Sequence, residues 1–391
     1  MAANGMTIEQ ISTVVNQVMG QATGAQGIGN YAANSFVTVA QTALLTGYDP
    51  IMKAISQLTL QTIFSERNYS EHFPGLRVDS QAYGNAVRKL KVADSDTQNN
   101  ASFELSDGES VDMYAVKLYN ILQTNFYGQV TWERQLTTFR NQLDSAFTGP
   151  GQFGSFYSMI LRNTDNQIKQ THESMARALI TNGIAAVITE DDANRVVKLI
   201  TDYNADTGLT LTRQDVYKPE NFPAFMAWTA SRIARIRRMM TERTRLFHTN
   251  ITGHETNQHT PYENQQMYLY APVQFDLNMR ALSELFNDKY ISLGRNELVS
   301  YWQSPSSPET INMTPVYTLN TGVVKTAESP VNTSNVFGVI FDDDFTGYTI
   351  VNEHQNTTPM NAKGEYWNTF YKYVHRYWMD NTENAVVLLL E

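Results

Sequence analysis

Three short constellations hold side chains that could do chemistry. His254-Glu255 with His259 approaches the helical zinc motif, in which two histidines four residues apart share a face and a glutamate acts as base. Here the spacing is five, which on a helix turns the second imidazole about 140° away from the first. Pro261 follows closely, so the segment is expected to be a polar loop. Asp342, Asp343 and Asp344 with Gly347 follow an apolar run and gather three carboxylates, as a hard-cation loop would. They lack the alternate spacing and the closing bidentate glutamate of such loops, and a solvated strand end is the expectation. Gly27-Ile28-Gly29-Asn30-Tyr31-Ala32 fits the dinucleotide pattern G-x-G-x-x-A, but polar and small residues precede it where an apolar strand is required. It reads as a linker. No phosphate-loop or nucleophile-elbow pattern occurs, and carboxylate pairs of the glycosidase kind meet only in space and leave no linear trace. The chain has no cysteine, which removes thiolate metal sites, disulfides and sulfur nucleophiles together.

The remaining constellation is charged rather than catalytic. Arg232, Arg235, Arg237, Arg238, Arg243 and Arg245 lie close together on an expected helix that buries Ile233 and Ile236. Guanidinium groups suit planar pairing with carboxylate or phosphate. The chain as a whole is acidic, with 29 Lys and Arg against 39 Asp and Glu and a net charge of −10. A general nucleic-acid surface needs a basic field, so pairing with acidic residues of this chain or of a neighbouring copy is favoured. A DNA-facing role is the alternative. Arg232, Arg235, Arg238 and Arg245 are the candidate contact residues.

The elements that would position these groups follow from composition and periodicity. An apolar content of 42% excludes a disordered tail. A charged content of 17% is well below the roughly 25% usual for soluble domains, and Asn, Thr, Gln and Ser replace the missing charge. Such a surface suits protein lying against protein, where desolvating charge is costly. Residues 1–52 contain only Glu9 and Asp49 as charges, and Ile8, Ile11, Val15 and Val18 recur at helical spacing, followed by glycines 20, 24, 27 and 29. This reads as an arm of short helices that packs on another surface. The first basic residue is Lys53, and the longest apolar run is 385–390, so no signal peptide or membrane span is expected and the chain is expected to be made in a cytoplasm.

Residues 68–132 read as a projecting two-stranded excursion, with strands at 87–92 and 111–119 around the polar stretch that begins at Asp94. A long helix is expected from Ser155 to a break at Gly183, roughly 42 Å at about 1.5 Å per residue, with Leu161, Thr164, Ile168, Thr171, Met175 and Ala178 as its thin inward stripe. Residues 196–200 read as a strand, 204–208 as a turn, and the helix after Pro219–Pro223 buries Met226, Thr229, Ile233, Ile236 and Met240. Residues 262–275 look extended, 277–286 helical, and 303–335 a loop-rich insertion. Strands return at 336–341, 348–351, 366–378 and 385–390, making the fold class α+β.

This order of parts resembles the HK97-type major capsid proteins of tailed bacteriophages, and is similar in particular to those of small podophages, including gut phages. The resemblance rests on Ser35-Phe-Val-Thr-Val-Ala-Gln-Thr-Ala-Leu-Leu-Thr-Gly-Tyr-Asp-Pro50, Thr62-Ile-Phe-Ser65, Phe337-Gly-Val-Ile-Phe-Asp-Asp343 with Gly347-Tyr348, and Glu383-Asn-Ala-Val-Val-Leu-Leu-Leu390. It implies an N-terminal arm (1–67), an extended loop lying on a neighbour (68–132), a peripheral domain with the spine helix (133–189), an axial domain (190–350), and C-terminal strands returning to the peripheral domain (351–391). It also implies self-assembly through pentamers and hexamers into an icosahedral shell around double-stranded DNA, with portal and scaffold proteins as further partners and no membrane, cofactor, metal or catalysis. The Lys, Asn and acid that cross-link some members find no matched positions here. An encapsulin-like compartment is the nearest alternative reading, and a cytoplasmic enzyme acting on a polar polymer a more distant one.

The acidic balance carries one further expectation. A wall that gripped every phosphate would impede filling and release of DNA, so the inner face should be neutral to acidic. Empty shells are expected to bind DNA weakly, with a shallow dependence of affinity on salt in a filter-binding titration. A steep dependence would count against a neutral inner wall.

Overall fold

Strands of this chain come in two kinds, and the difference is written in their residues. Runs in which nearly every position is apolar are buried on both faces, whereas runs that alternate are buried on one. The structure, a computed structural model, describes residues 73, 76–78, 87–94, 105–110, 114, 116, 118, 120–142, 150–271 and 296–391. The expected arm at 1–67, its glycine linker and the helix expected at 277–286 lie outside the described residues.

In chain order the elements are β1 (Val87–Val92), β2 (Ile121–Phe126), β3 (Gly128–Phe139), α1 (Pro150–Glu190), β4 (Val196–Lys198), α2 (Leu199–Thr207), α3 (Arg213–Val216), α4 (Phe222–Met240), β5 (Gln265–Tyr270) and β6 (Asn296–Val299). There follow β7 (Ile311–Met313), β8 (Val316–Thr318), β9 (Val324–Thr326), β10 (Val331–Thr333), β11 (Val336–Asp342), β12 (Thr346–Thr357), β13 (Tyr366–Met379) and β14 (Ala385–Leu389). The mostly apolar strands β14 and β11 lie at the centre of a five-stranded sheet in the order β4-β14-β11-β5-β6, parallel at its two outer pairs and antiparallel within. Every residue of β5 and β14 is buried. The alternating strands make a three-stranded antiparallel sheet, β12-β13-β3, in which Trp367, Thr369, Tyr371, Tyr373 and His375 of β13 face inward. β1 and β2 pair as a separate ribbon, with Val87 opposite Phe126 and Val92 opposite Ile121.

α1 joins the two sheets. Its first half crosses the three-stranded sheet: Arg134 of β3 donates to the Thr164 carbonyl at 3.1 Å, and His172 packs against Tyr348 and His375. Its second half enters the core of the five-stranded sheet, where Ile184, Ala185, Ala186 and Val187 are fully buried. The inward stripe keeps the expected Thr164 and Met175 and departs from the expectation elsewhere. Ala178 is exposed, and His172, Ala176 and Leu179 take the inward positions. A 3.6-residue period admits either choice, and the sheet decides it.

Several boundaries differ from the sequence expectation for identifiable reasons. The long helix runs through Gly183 to Glu190, because this glycine serves close approach rather than a helix end. A Cβ placed on Gly183 would lie 2.7 Å from Cε1 of the buried Phe345 ring. The turn expected at 204–208 is the end of α2, where Gly208 (φ 72°) is the left-handed cap and its N–H donates to the Asn204 carbonyl at 2.9 Å. The strand expected at 196–200 therefore stops at Lys198, and Leu199 and Ile200 are helical. The partner of 87–92 is 121–126 rather than 111–119, and the alternating strand β3, which runs across position 132, was not foreseen. The insertion at 303–335 holds two small ladders, β7 with β10 and β8 with β9. The C-terminal strands do not return together. β12 and β13 join β3, but β14 lies between β4 and β11 in the other sheet.

Replacing Gly183 with Ala should lower stability by about 1–3 kcal/mol, the range for overpacked cores. On an exposed helix the same exchange raises stability. Urea unfolding of the purified chain reads the sign, and a gain would mean that Phe345 yields without cost.

Candidate functional site

α4 is helical because its apolar residues recur at three and four positions and because Pro223 sits within its first turn. Met226, Thr229, Ile233, Ile236 and Met240 are all buried, as their spacing requires. The arginines do not form one face. Arg237 turns inward, where its Nε donates to Gln265 at 2.9 Å and its guanidinium lies 5.4 Å from the Tyr262 ring; burial pushes its pKa down. Arg232 pairs with Asp202 of α2 at 3.1 Å. Arg238 pairs with Glu242 at 3.3 Å, an exposed contact of the kind that contributes little. Arg235 is exposed and makes no ion pair among the described residues. The helix ends at Met240, so Arg243 and Arg245 lie in the following segment rather than on the helix. Arg243 pairs with Asp94, and its Nε donates to the Asn257 carbonyl at 3.1 Å. Arg245 is exposed. The Asn257 N–H, together with Arg243 and Arg245, holds the Asp94 carboxyl below the usual range.

Asp94 lies two residues beyond β1, and the ribbon leads to the densest polar cluster among the described residues. It centres on Asp380, Asn381, Thr382, Glu383 and Asn384, five polar residues in succession between β13 and β14, all buried. Asp380 accepts from the Thr382 hydroxyl at 2.6 Å and lies 3.2 Å from Lys89 Nζ. Glu383 contacts Lys89 and lies 2.7 Å from Lys91 Nζ, and Lys91 also donates to the Thr382 carbonyl at 2.9 Å. Asn381 donates to Glu190, the last residue of α1, at 2.7 Å. Asn384 meets His248 at 3.1 Å and donates to Thr260 at 3.0 Å. Arg195, only 1% exposed, pairs with Glu190 and donates to Thr249 at 2.8 Å. One linker thus ties together the ribbon, the long helix, the segment after α4 and both sheets.

The cluster is electrically balanced: Lys89, Lys91 and Arg195 face Asp380, Glu383 and Glu190. Burial alone would push Lys89 down, yet Asp380 and Glu383 hold it above the usual lysine value. Burial alone would raise Asp380, yet Lys91, Lys89 and the Thr382 donors hold it below the carboxylate range. Nothing in the linear sequence singled these residues out. The one available signal was a run of polar residues without Gly or Pro, set between two strands.

The side chains of the ribbon are consequently turned inside out. Val87, Lys89 and Lys91 face the protein, whereas Arg88, Leu90 and Val92 face outward. Leu90 (56% exposed), Val92 and Ile121 line that outer face, and farther along Tyr114, Val116 and Leu118 are each more than 80% exposed. The other sequence candidates are structural. His254 and Glu255 lie in irregular backbone, and the Glu255 carboxylate accepts from the Gly253 N–H at 3.1 Å. The three aspartates diverge: Asp342 accepts from Thr260 at 2.6 Å and Asp343 from Gln266 at 2.6 Å, while Asp344 is exposed. Only Asp344 is solvated as the strand-end reading required, and burial raises Asp342.

Neutralising one member of a buried, paired set leaves its partners uncompensated, at a cost of about 3–5 kcal/mol. Asp380→Asn should lose that much in urea unfolding and speed amide exchange in 87–92. The lowered Asp380 value means its contribution is present above the ordinary carboxylate pKa and lost as pH falls through the folded one. The raised Lys89 value means its contribution is present below the ordinary lysine pKa and lost as pH rises through the folded one. Ribbon protection should therefore be flat near neutrality and fall at both extremes; a monotonic profile would contradict the assignment.

The arrangement offers interlocked charges and exposed apolar strands rather than convergent catalytic groups, and the comparisons agree with that character. Two solved structures share the fold. A chain in the capsid structure of Staphylococcus phage Andhra is 10% identical, with 82% of this chain and 84% of that chain covered and a TM-score of 0.53. A chain in the structure of head fibre and inner core protein gp22 of native bacteriophage P68 is 8% identical, with 82% and 85% covered and a TM-score of 0.55. No curated protein sequence matches the chain. Residues 11–389 match the profile of the Phi29-like phage major capsid proteins, and the chain belongs to that family: it is a structural protein of the virion that forms the capsid shell.

Proposed function

We propose that this subunit builds its shell with an HK97-type division of labour. In this reading 1–67 is the arm and 68–132 the extended loop that lies on a neighbouring copy. α1 with β12, β13 and the part of β3 beyond 132 forms the peripheral unit. The five-stranded sheet with α2 to α4 forms the axial unit, which meets its copies around fivefold and sixfold positions. The exposed Arg235, Arg238 and Arg245 pair with acidic residues of a neighbour, the inner wall meets DNA only weakly, and portal and scaffold proteins complete the particle.

The outward face of the β1–β2 ribbon is the observation that carries this reading. A lone monomer would place its lysines in water and Leu90, Val92 and Ile121 inside, and the reverse arrangement needs a surface to cover it. The contact is heterologous, loop onto body, and a heterologous contact that closes makes rings. Weak contacts repeated around each subunit then accumulate into a stable shell.

A Leu90→Asp, Val92→Asp double variant should fold, because neither side chain enters the core, but should sediment as small species without shells in electron micrographs. Wild-type yields of shells from this variant would overturn the loop assignment. Arg235→Glu with Arg238→Glu should reduce shell yield and leave the DNA affinity of preformed particles unchanged; a selective loss of DNA affinity would transfer these arginines to the DNA-facing role.

A further inference from the structure

His172 and His375 are the two histidines buried between α1 and the three-stranded sheet. His172 is 6% and His375 1% exposed, and their rings meet edge to face with centroids 5.1 Å apart. Tyr348 of β12 closes the third side, 6.1 Å from His172 and 6.0 Å from His375. Neither ring nitrogen of His375 has a hydrogen-bond partner among the described residues. A buried imidazole with no acceptor near it is stable only while neutral, and histidine gains its proton within the range a virion can meet.

We propose that the His172–His375 pair is an acid-sensitive clasp that holds α1 on the three-stranded sheet at neutral pH and releases it on acidification.

The groups facing His375 from each packed element support this sense. α1 presents His172, and β12 presents Tyr348 across the ring and Ile350 beside it in register. β3 presents Val130 in register, with Arg134 farther along at the Thr164 carbonyl. On β13 itself the neighbour on the same face is Tyr373. The segment 76–78 pairs alongside Tyr348 and brings Arg77. The two that act on His375 electrostatically, His172 and Arg77, carry positive charge when ionised; burial first and then these two push His375 down to about 4. Its contribution is therefore complete above the ordinary histidine value and is lost as pH falls toward 4. Glu173, next to His172 in the chain, pairs with Arg177 at 2.7 Å. The far end of α1 remains tied through Glu190 to the 380–384 linker, so the helix swings from that end rather than detaching.

The test compares wild-type shells with His375→Phe shells by amide exchange at matched pH. At pH 7.5 the two should agree across 164–180 and 371–377. At pH 4.5 the wild type should exchange there about tenfold faster or more, since the open state takes up a proton that the closed state refuses. Should the Phe side chain prevent folding, His375→Gln carries the same expectation with a neutral polar group. Equal exchange in wild type and variant at pH 4.5 would overturn the proposal. So would acid loosening that begins at 380–384 in both, which would make the linker the acid-sensitive element.

Discussion

Everything in this subunit is arranged around a cost: five consecutive polar residues, 380–384, lie buried where two sheets, a long helix and a ribbon converge. Burying a charge without a partner is among the most unfavourable things a protein can do. Three cations from two separated parts of the chain, β1 and Arg195, must therefore arrive together with three anions. A purely apolar joint would hold the pieces more cheaply but with less definition, since hydrophobic contact tolerates sliding. Lys89 and Lys91 pair with Asp380 and Glu383 and so tie the ribbon to the linker, while Glu190 ties the same linker to α1.

That constraint accounts for the ribbon's inverted faces. With its two lysines committed inward, the alternation of a strand leaves Arg88, Leu90 and Val92 no choice but to face out. Intramolecular electrostatics thus create an apolar surface as a by-product, and in a shell-forming protein such a surface is an asset. The arginines near α4 divide in the same way. Arg237 and Arg243 are committed within the subunit, and Arg235 and Arg245 are left exposed.

Much of the fold was legible because it obeys periodicity. The buried stripe of α4 and the strands at 87–92, 336–341, 366–378 and 385–390 follow from alternation, helical spacing or continuous apolar character. Misreadings cluster where one residue type serves two purposes. Gly183 makes room for Phe345 and Gly208 caps a helix, yet both look like breakers in one dimension. β3 was missed because its inward residues include Arg134 and Thr138, whose burial depends on the helix lying across them. The polar linker was invisible because its partners lie as many as 294 positions away, and charge compensation at that range leaves no local trace.

The position of β14 in its sheet has a consequence for the timing of synthesis. It is the last strand of the five-stranded sheet to be made, yet it is flanked by β4 and β11 on either side. At about 5–20 residues per second, roughly 13–50 s separate the emergence of β2 from that of β14. Throughout that interval the linker is absent, Lys89 and Lys91 have nothing to dock on, and the ribbon has no fixed direction. A nascent chain is therefore a poor partner for finished subunits, and competence to assemble arrives late, when β14 closes the sheet.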